Sequence, residues 1–78
     1  MFAGKEVHLT QKEYLIVEIL LEKRGEVVTR SDIIEYVWGD EALFENDAKL
    51  DVYISTLRMK FGKSFIITVK GVGYQVVL

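Results

Sequence analysis

Apolar residues along the chain fall into three helix-spaced groups and then into two short continuous runs. In the first group Leu15, Ile16, Ile19 and Leu20 make one stripe of a 3.6-residue period. Thr10-Gln11-Lys12-Glu13 in front of it matches a capping box, in which the Thr10 hydroxyl accepts from the Glu13 amide and the Glu13 carboxylate reaches back. Leu9 and Tyr14 stand where a hydrophobic staple would form, and Gly25 follows Lys23 and Arg24 as a C-terminal stop. The pattern predicts a helix over 11–23, entered from a strand end at Val7, His8 and Leu9. The second group is Ile33, Ile34, Val37 and Trp38, with Thr29-Arg30-Ser31-Asp32 as its cap, Val28 and Ile33 as its staple pair and Gly39 as its end. Val27 and Val28 are too few for an independent strand but suit a sheet edge.

The third group lies in "KLDVYISTLRMKF". Leu50, Ile54, Leu57 and Phe61 share one narrow stripe, and Asn46 or Asp47 caps a helix predicted over 48–61, stopped by Gly62. With Leu50 at zero and about 100° per residue, Ala48, Val52, Ser55, Thr56 and Met59 point roughly 140–240° away. That outward face bears no charge, has Lys49 and Lys60 at its edge, and still holds a valine and a methionine. The preceding "DEALFEN" has no clear period and is expected to be an acidic loop anchored by Leu43 and Phe44. The two final runs, 65–69 and 74–78, are β-branched and aromatic and flank Lys70-Gly71-Val72-Gly73, which predicts a hairpin whose glycines permit positive φ.

A chain of 78 residues is one small domain, half apolar and 28% charged, without cysteine or low-complexity runs. No apolar run approaches the ~20 residues that span a bilayer, and no leader pattern opens the chain. The net charge of −2 is unevenly spread. Residues 1–46 carry five bases and ten acids, for −5; residues 47–78 carry five bases and two acids, for +3. A local positive field of this kind presents a cationic surface whatever the total.

Three short helices followed by a two-stranded hairpin is the layout of an α+β winged helix-turn-helix. In that architecture the third helix enters a DNA major groove and the hairpin an adjacent groove. Small and polar side chains allow close approach, cations meet phosphates, and apolar groups meet thymine methyls, which suits the outward face of 48–61.

From Leu9 to Tyr74 the chain resembles the DNA-binding effector domain of OmpR/PhoB-type response regulators. "LTQKEYLIVEILL" is similar to that family's first helix, "VVTRSDIIEYVWG" to its second, "LDVYISTLRMKF" to its recognition helix and "ITVKGVGYQV" to its wing. The resemblance implies base-edge contacts at Val52 and Thr56, and phosphate contacts at or beside Tyr53, Ser55 and Arg58. It implies backbone contacts from Arg30 and Trp38, and wing contacts from Thr68 and from Lys70 in the minor groove. Where relatives carry an arginine three residues before the aspartate matching Asp51, this chain has Ala48 with Lys49 beside it; Ser55 and Thr56 replace frequent arginines. Lys60 completes the expected DNA-contact set as a phosphate ligand. Asp40, Glu41, Leu43, Phe44 and Glu45 fall in the loop through which the family meets RNA polymerase. The resemblance further implies a two-component phosphorelay in the cytoplasm, tandem binding to promoter direct repeats, and a receiver domain belonging to the parent chain. The expected domain is a single winged helix over 1–78, without the receiver and with the N-terminal four-stranded sheet largely truncated to about residues 2–9.

Each of these residues also has a structural reading. Asp51 and Arg58, seven apart, share a face and are candidates for an ion pair. Trp38 near a helix end and Tyr74 under the wing suit the core. His8 is one imidazole without other metal ligands, and Gly71-x-Gly73 lacks the third glycine of a nucleotide loop. Glu18, Glu22, Asp32 and Glu35 read as solvated faces or caps. No nucleophile–base arrangement or metal cluster is present, so neither an enzyme nor a cofactor is expected. The rival use of the same fold is docking on another polypeptide.

Overall fold

Capping chemistry sets where the first two helices begin. In the computed structural model, which describes residues 8–39 and 43–77, helix α1 runs Gln11–Glu22. The Glu13 amide donates to Thr10 Oγ1 at 3.2 Å and Glu13 Oε1 accepts from the Thr10 amide at 2.9 Å, so the capping box is present in both directions. Leu9 packs against the core, but Tyr14 is exposed, and the expected staple does not cover it. His8 and Leu9 carry no strand, and residues 1–7 lie outside the described part. Strand β1 is Val28–Thr29, and α2 follows at once as Arg30–Trp38, capped by Thr29 Oγ1 accepting from the Asp32 amide at 3.1 Å. Val28 and Ile33 are both buried.

Helix α3 spans Leu43–Phe61 and starts five residues before the sequence expectation of 48–61. The segment read as a loop supplies its first turn, because Leu43 and Glu45 are good helix formers, no glycine or proline intervenes, and acids favour a helix N-terminus. Strands β2, Ile67–Val69, and β3, Gly73–Gln75, are shorter than the two expected runs. Phe65 instead packs on Phe61, ring centroids 4.9 Å apart, and Ile66 turns into the core. Val76, beyond β3, accepts from the Gly25 amide at 2.8 Å.

The sheet order is β1-β3-β2, all antiparallel, with Val28 opposite Tyr74 and Thr68 opposite Tyr74 on the other side. The two hairpin glycines have different reasons. Gly71, at φ 79°, occupies the turn closed by the Val72 amide donating to the Val69 carbonyl at 3.0 Å. Gly73 is not needed for positive φ: a Cβ there would overlap the Val28 carbonyl oxygen and lie 2.8 Å from Thr29 Cα. Close approach of β1, and not turn geometry, requires glycine at 73.

One core joins all the elements. Ile16, Leu20, Val28, Ile33, Ile34, Leu50, Ile54, Leu57, Ile66 and Val76 are fully buried. Glu13 is the one charged side chain buried among the described residues, at 3% exposure, and Lys60 Nζ donates to its Oε1 at 2.7 Å. Burial pushes the Glu13 carboxyl up, but bonds from Lys60 and the Thr10 amide, with the Lys60 charge, outweigh it and hold the group below its usual 4.5. On the far side of α1 and α2 the Tyr36 hydroxyl donates to Glu18 Oε1 at 2.6 Å, which pushes its own pKa up to about 12.

Two outcomes follow from these contacts. Gly73→Ala forces β1 and β3 apart and is expected to cost ~3 kcal/mol, at the upper end of overpacking effects, in chemical denaturation. A depressed carboxylate contributes stability that is full above its unfolded pKa of 4.5 and is lost as pH falls through the lower folded value. Thermal melts of the wild-type chain should therefore lose midpoint below about pH 4.5, and Glu13→Gln should flatten that acid limb.

Candidate nucleic-acid interface

Helix α3 is buried along Leu50, Ile54 and Leu57, as the sequence period requires, and that burial fixes what the opposite face shows. Val52 is 65% exposed and Met59 87%, with Ala48 and Ser55 exposed and Thr56 half-buried around them. The Thr56 hydroxyl donates to the Val52 carbonyl at 3.1 Å, a one-turn back-bond that orients it along the helix. Over 48–61 an uncharged, partly apolar helix face thus stands largely in solvent among the described residues.

Beside this face α2, α3 and β3 are clasped by one polar cluster. Arg30 Nη1 donates to Asp51 Oδ1 at 2.7 Å and to the Tyr74 hydroxyl at 3.1 Å, and that hydroxyl donates to the same Asp51 oxygen at 2.8 Å. The bonds from Arg30 and Tyr74 hold the Asp51 carboxyl below the usual carboxylate range. Burial and the bond to Asp51 raise the Tyr74 phenol above its ordinary value. Arg58 does not reach Asp51. Its Nε and Nη2 both donate to the Ile66 carbonyl, at 3.0 and 2.8 Å, and Nη2 also to Thr68 Oγ1 at 2.6 Å. The anticipated Asp51–Arg58 pair is replaced by two separate ties, because Arg30 meets Asp51 from the neighbouring helix at shorter reach than two turns.

The cations of the expected DNA-contact set divide accordingly. Lys60 departs from its expected role: it bridges Glu13 Oε1 and, at 2.8 Å, the His8 carbonyl, so its charge is neutralised inside the fold. Arg30 is likewise paired with an acid. Arg58 is bonded to neutral groups and keeps a net charge beside the wing. Lys49, Lys63 and Lys70 are exposed and form no ion pair with another described residue, and Lys63 adjoins Ser55, Arg58, Met59 and Gly62 around an open groove. Lys70 sits in the hairpin turn with Thr68 exposed on β2. Trp38 is half-buried, its ring 5.7 Å from that of Tyr53, with Lys12 Nζ 5.4 Å above it. The structure therefore gathers Val52, Ser55, Thr56, Ala48, Lys49 and Arg58 on or around one side of α3.

Of the polymerase-loop residues, Asp40 and Glu41 lie outside the described residues, and Leu43, Phe44 and Glu45 are in the first turn of α3 instead of a loop. Three participants were absent from the sequence-derived set. Lys63 follows the helix stop. Asp51 and Tyr74 join the clasp: an acid about 100° from the buried stripe marks a boundary position, which is the one signal that points to it.

No helix among the described residues is long and apolar enough to cross a membrane. Residues 4–76 match the family model described as "Transcriptional regulatory protein, C terminal". The chain is 43% identical over 77 residues to the transcriptional regulatory protein PcoR of Escherichia coli, covering 92% of this chain and 33% of PcoR. It spans about a third of the length of the curated relatives it matches. The DNA-binding domain of Bacillus subtilis CssR superposes with a TM-score of 0.85 at 27% identity, covering 97% of this chain and 88% of that one. The Klebsiella pneumoniae RstA DNA-binding domain, in complex with the RstA box, superposes with a TM-score of 0.81 at 26% identity, covering 99% and 80%. Family and fold are those of a DNA-binding regulator domain and not of an enzyme. The chain belongs to the C-terminal, winged-helix DNA-binding domains of OmpR/PhoB-type response regulators.

Proposed function

We propose that this chain binds double-stranded DNA sequence-specifically as the output domain of a two-component response regulator, with α3 in the major groove and the β2–β3 wing in the minor groove. The observation that carries the reading is the exposed, uncharged face of α3 opposite a fully buried stripe, flanked by Lys49, Arg58, Lys63 and Lys70. Val52 and Thr56 are the base-edge residues of this reading, with Val52 against a thymine methyl. Ala48, Tyr53 and Ser55 let the backbone of the duplex come close, Trp38 meets it from α2, and Thr68 and Lys70 belong to the wing. Arg30 acts here as a positioning residue that holds α3 to α2 and to Tyr74. A relative of the same fold bound to its DNA box supports the assignment.

The same reading brings in partners: promoter direct repeats occupied by tandem copies, RNA polymerase at the segment leading into α3, and a receiver domain in the parent protein. It sets the work in the cytoplasm, where bacterial promoters and polymerase are. Tandem binding requires half-sites about one helical turn apart.

Counterion release gives the first test. If Lys49, Arg58, Lys63 and Lys70 each neutralise one phosphate, log K against log salt should fall with a slope of about −3.6 per domain. Lys70→Ala should reduce it to about −2.7 and weaken specific and random duplexes alike. Lys60→Ala should leave the slope alone and lower the melting temperature, since its partner is a buried carboxylate. Binding indifferent to salt would count against DNA and for a protein partner.

The second test separates reading from packing. Val52→Ala should lose discrimination at one base pair by ~1 kcal/mol with an unchanged thermal melt. Leu57→Ala, on the buried stripe, should lose ~2–5 kcal/mol of stability in urea denaturation.

A further inference from the structure

Base pairs in the major groove are told apart mainly by Arg or Lys paired with guanine and by Asn or Gln paired with adenine. None of these four stands within the outward face of α3 over 48–61, which consists of Ala48, Val52, Ser55, Thr56 and Met59 with Lys49 at its edge. The two long cations next to Met59 are engaged elsewhere, Arg58 with Ile66 and Thr68, and Lys60 with Glu13 and His8. The Thr56 proton is committed to the Val52 carbonyl. What is left at the centre of the face is the Ser55 hydroxyl, the Thr56 oxygen as an acceptor, and the apolar groups of Ala48, Val52 and Met59.

Met59 is the most exposed large apolar side chain among the described residues, at 87%, and the core has no use for it. It sits seven residues after Val52, hence at nearly the same angle on the helix and ~10.5 Å further along its axis. That separation corresponds to about three base-pair steps of ~3.4 Å. Met59 also borders the open groove of about 570 Å³ lined by Ser55, Arg58, Gly62 and Lys63, so cations suited to phosphates stand next to it. An unbranched thioether adapts its shape to an irregular apolar surface better than a branched side chain does.

Resting on the DNA-binding reading above, we propose that Met59 is a second base-reading residue. Helix α3 then selects its half-site through the 5-methyl groups of two thymines about three base pairs apart, one against Val52 and one against Met59. The specificity is for A·T pairs in a defined strand orientation, since the methyl group marks the thymine side of the groove.

The test uses the 78-residue chain to select duplexes from a random-sequence pool, then resynthesises the selected duplex with deoxyuridine replacing thymidine one position at a time. Two positions about three base pairs apart should each lose about fourfold in affinity, the equivalent of one buried methyl group. Val52→Ala should abolish the penalty at one position and Met59→Ala at the other, while Met59→Leu retains it; melts of all three variants should match the parent. Deoxyuridine tolerated everywhere, or both penalties surviving in Met59→Ala, overturns this assignment while DNA binding stands. Failure of the chain to retain any duplex at low salt overturns the DNA-binding reading and this assignment together.

Discussion

A helix that leaves an entire face open can be held only through what remains of its circumference. Helix α3 meets this constraint with the single stripe Leu50, Ile54 and Leu57 and with polar ties at its flanks. Asp51 is fastened to Arg30 and Tyr74, Arg58 to Ile66 and Thr68, and Lys60 to Glu13 and the His8 carbonyl. Helix α2 receives one of these ties, the wing side two, and α1 with the chain entering it the last. The positions of the other elements are thereby referred to α3, while Val52 and Met59 on its outward face stay exposed.

Magnitudes distinguish the two kinds of contact. Full burial of a leucine or isoleucine side chain contributes about 1.5–3 kcal/mol, so the stripe supplies most of what keeps α3 in place. The Arg30–Asp51 pair has side chains 30% and 60% exposed, and exposed pairs contribute about 0–1 kcal/mol. Its effect is orientation: one carboxylate oxygen takes two donors, one from α2 and one from the wing, and so fixes the roll of α3 relative to both. Lys60–Glu13 differs because the carboxylate is buried. Removing the lysine would leave a charge without its counterion, which costs more than the pair itself contributes.

Most of the architecture was legible because the signals are local. The capping box at Thr10 and Glu13, the period through Leu50, Ile54 and Leu57 and the turn at Gly71 depend on residues within one or two turns of one another. The start of α3 was less so, since "DEALFEN" has helix-forming residues without an apolar period, and periodicity cannot mark where such a segment begins. The candidate interface was legible as a face but not as a set of free charges. Lys60 looked available because its acid lies on α1, far away in sequence, and no spacing rule connects them. Gly73 has the sequence signature of a turn residue for the same reason: the Val28 carbonyl that excludes a side chain belongs to a strand that only the folded sheet brings near.

The sheet order also determines when during synthesis the domain can form. The last strand in the chain is the central one, hydrogen-bonded to β1 as well as to β2, and Val76 just beyond it lies fully within the core. Helices α1, α2 and α3 can form from local contacts as they leave the ribosome, but β1 has no partner until Tyr74 arrives. Until then Val28 and Ile66 lack the cover that Tyr74 and Val76 provide, and the nascent chain carries an open apolar seam. Closure of the fold therefore waits for a segment of four residues, from Gly73 to Val76. A chain cut before Gly73 would keep that seam open however well its helices formed, which gives the closing strand a weight in proteostasis out of proportion to its length.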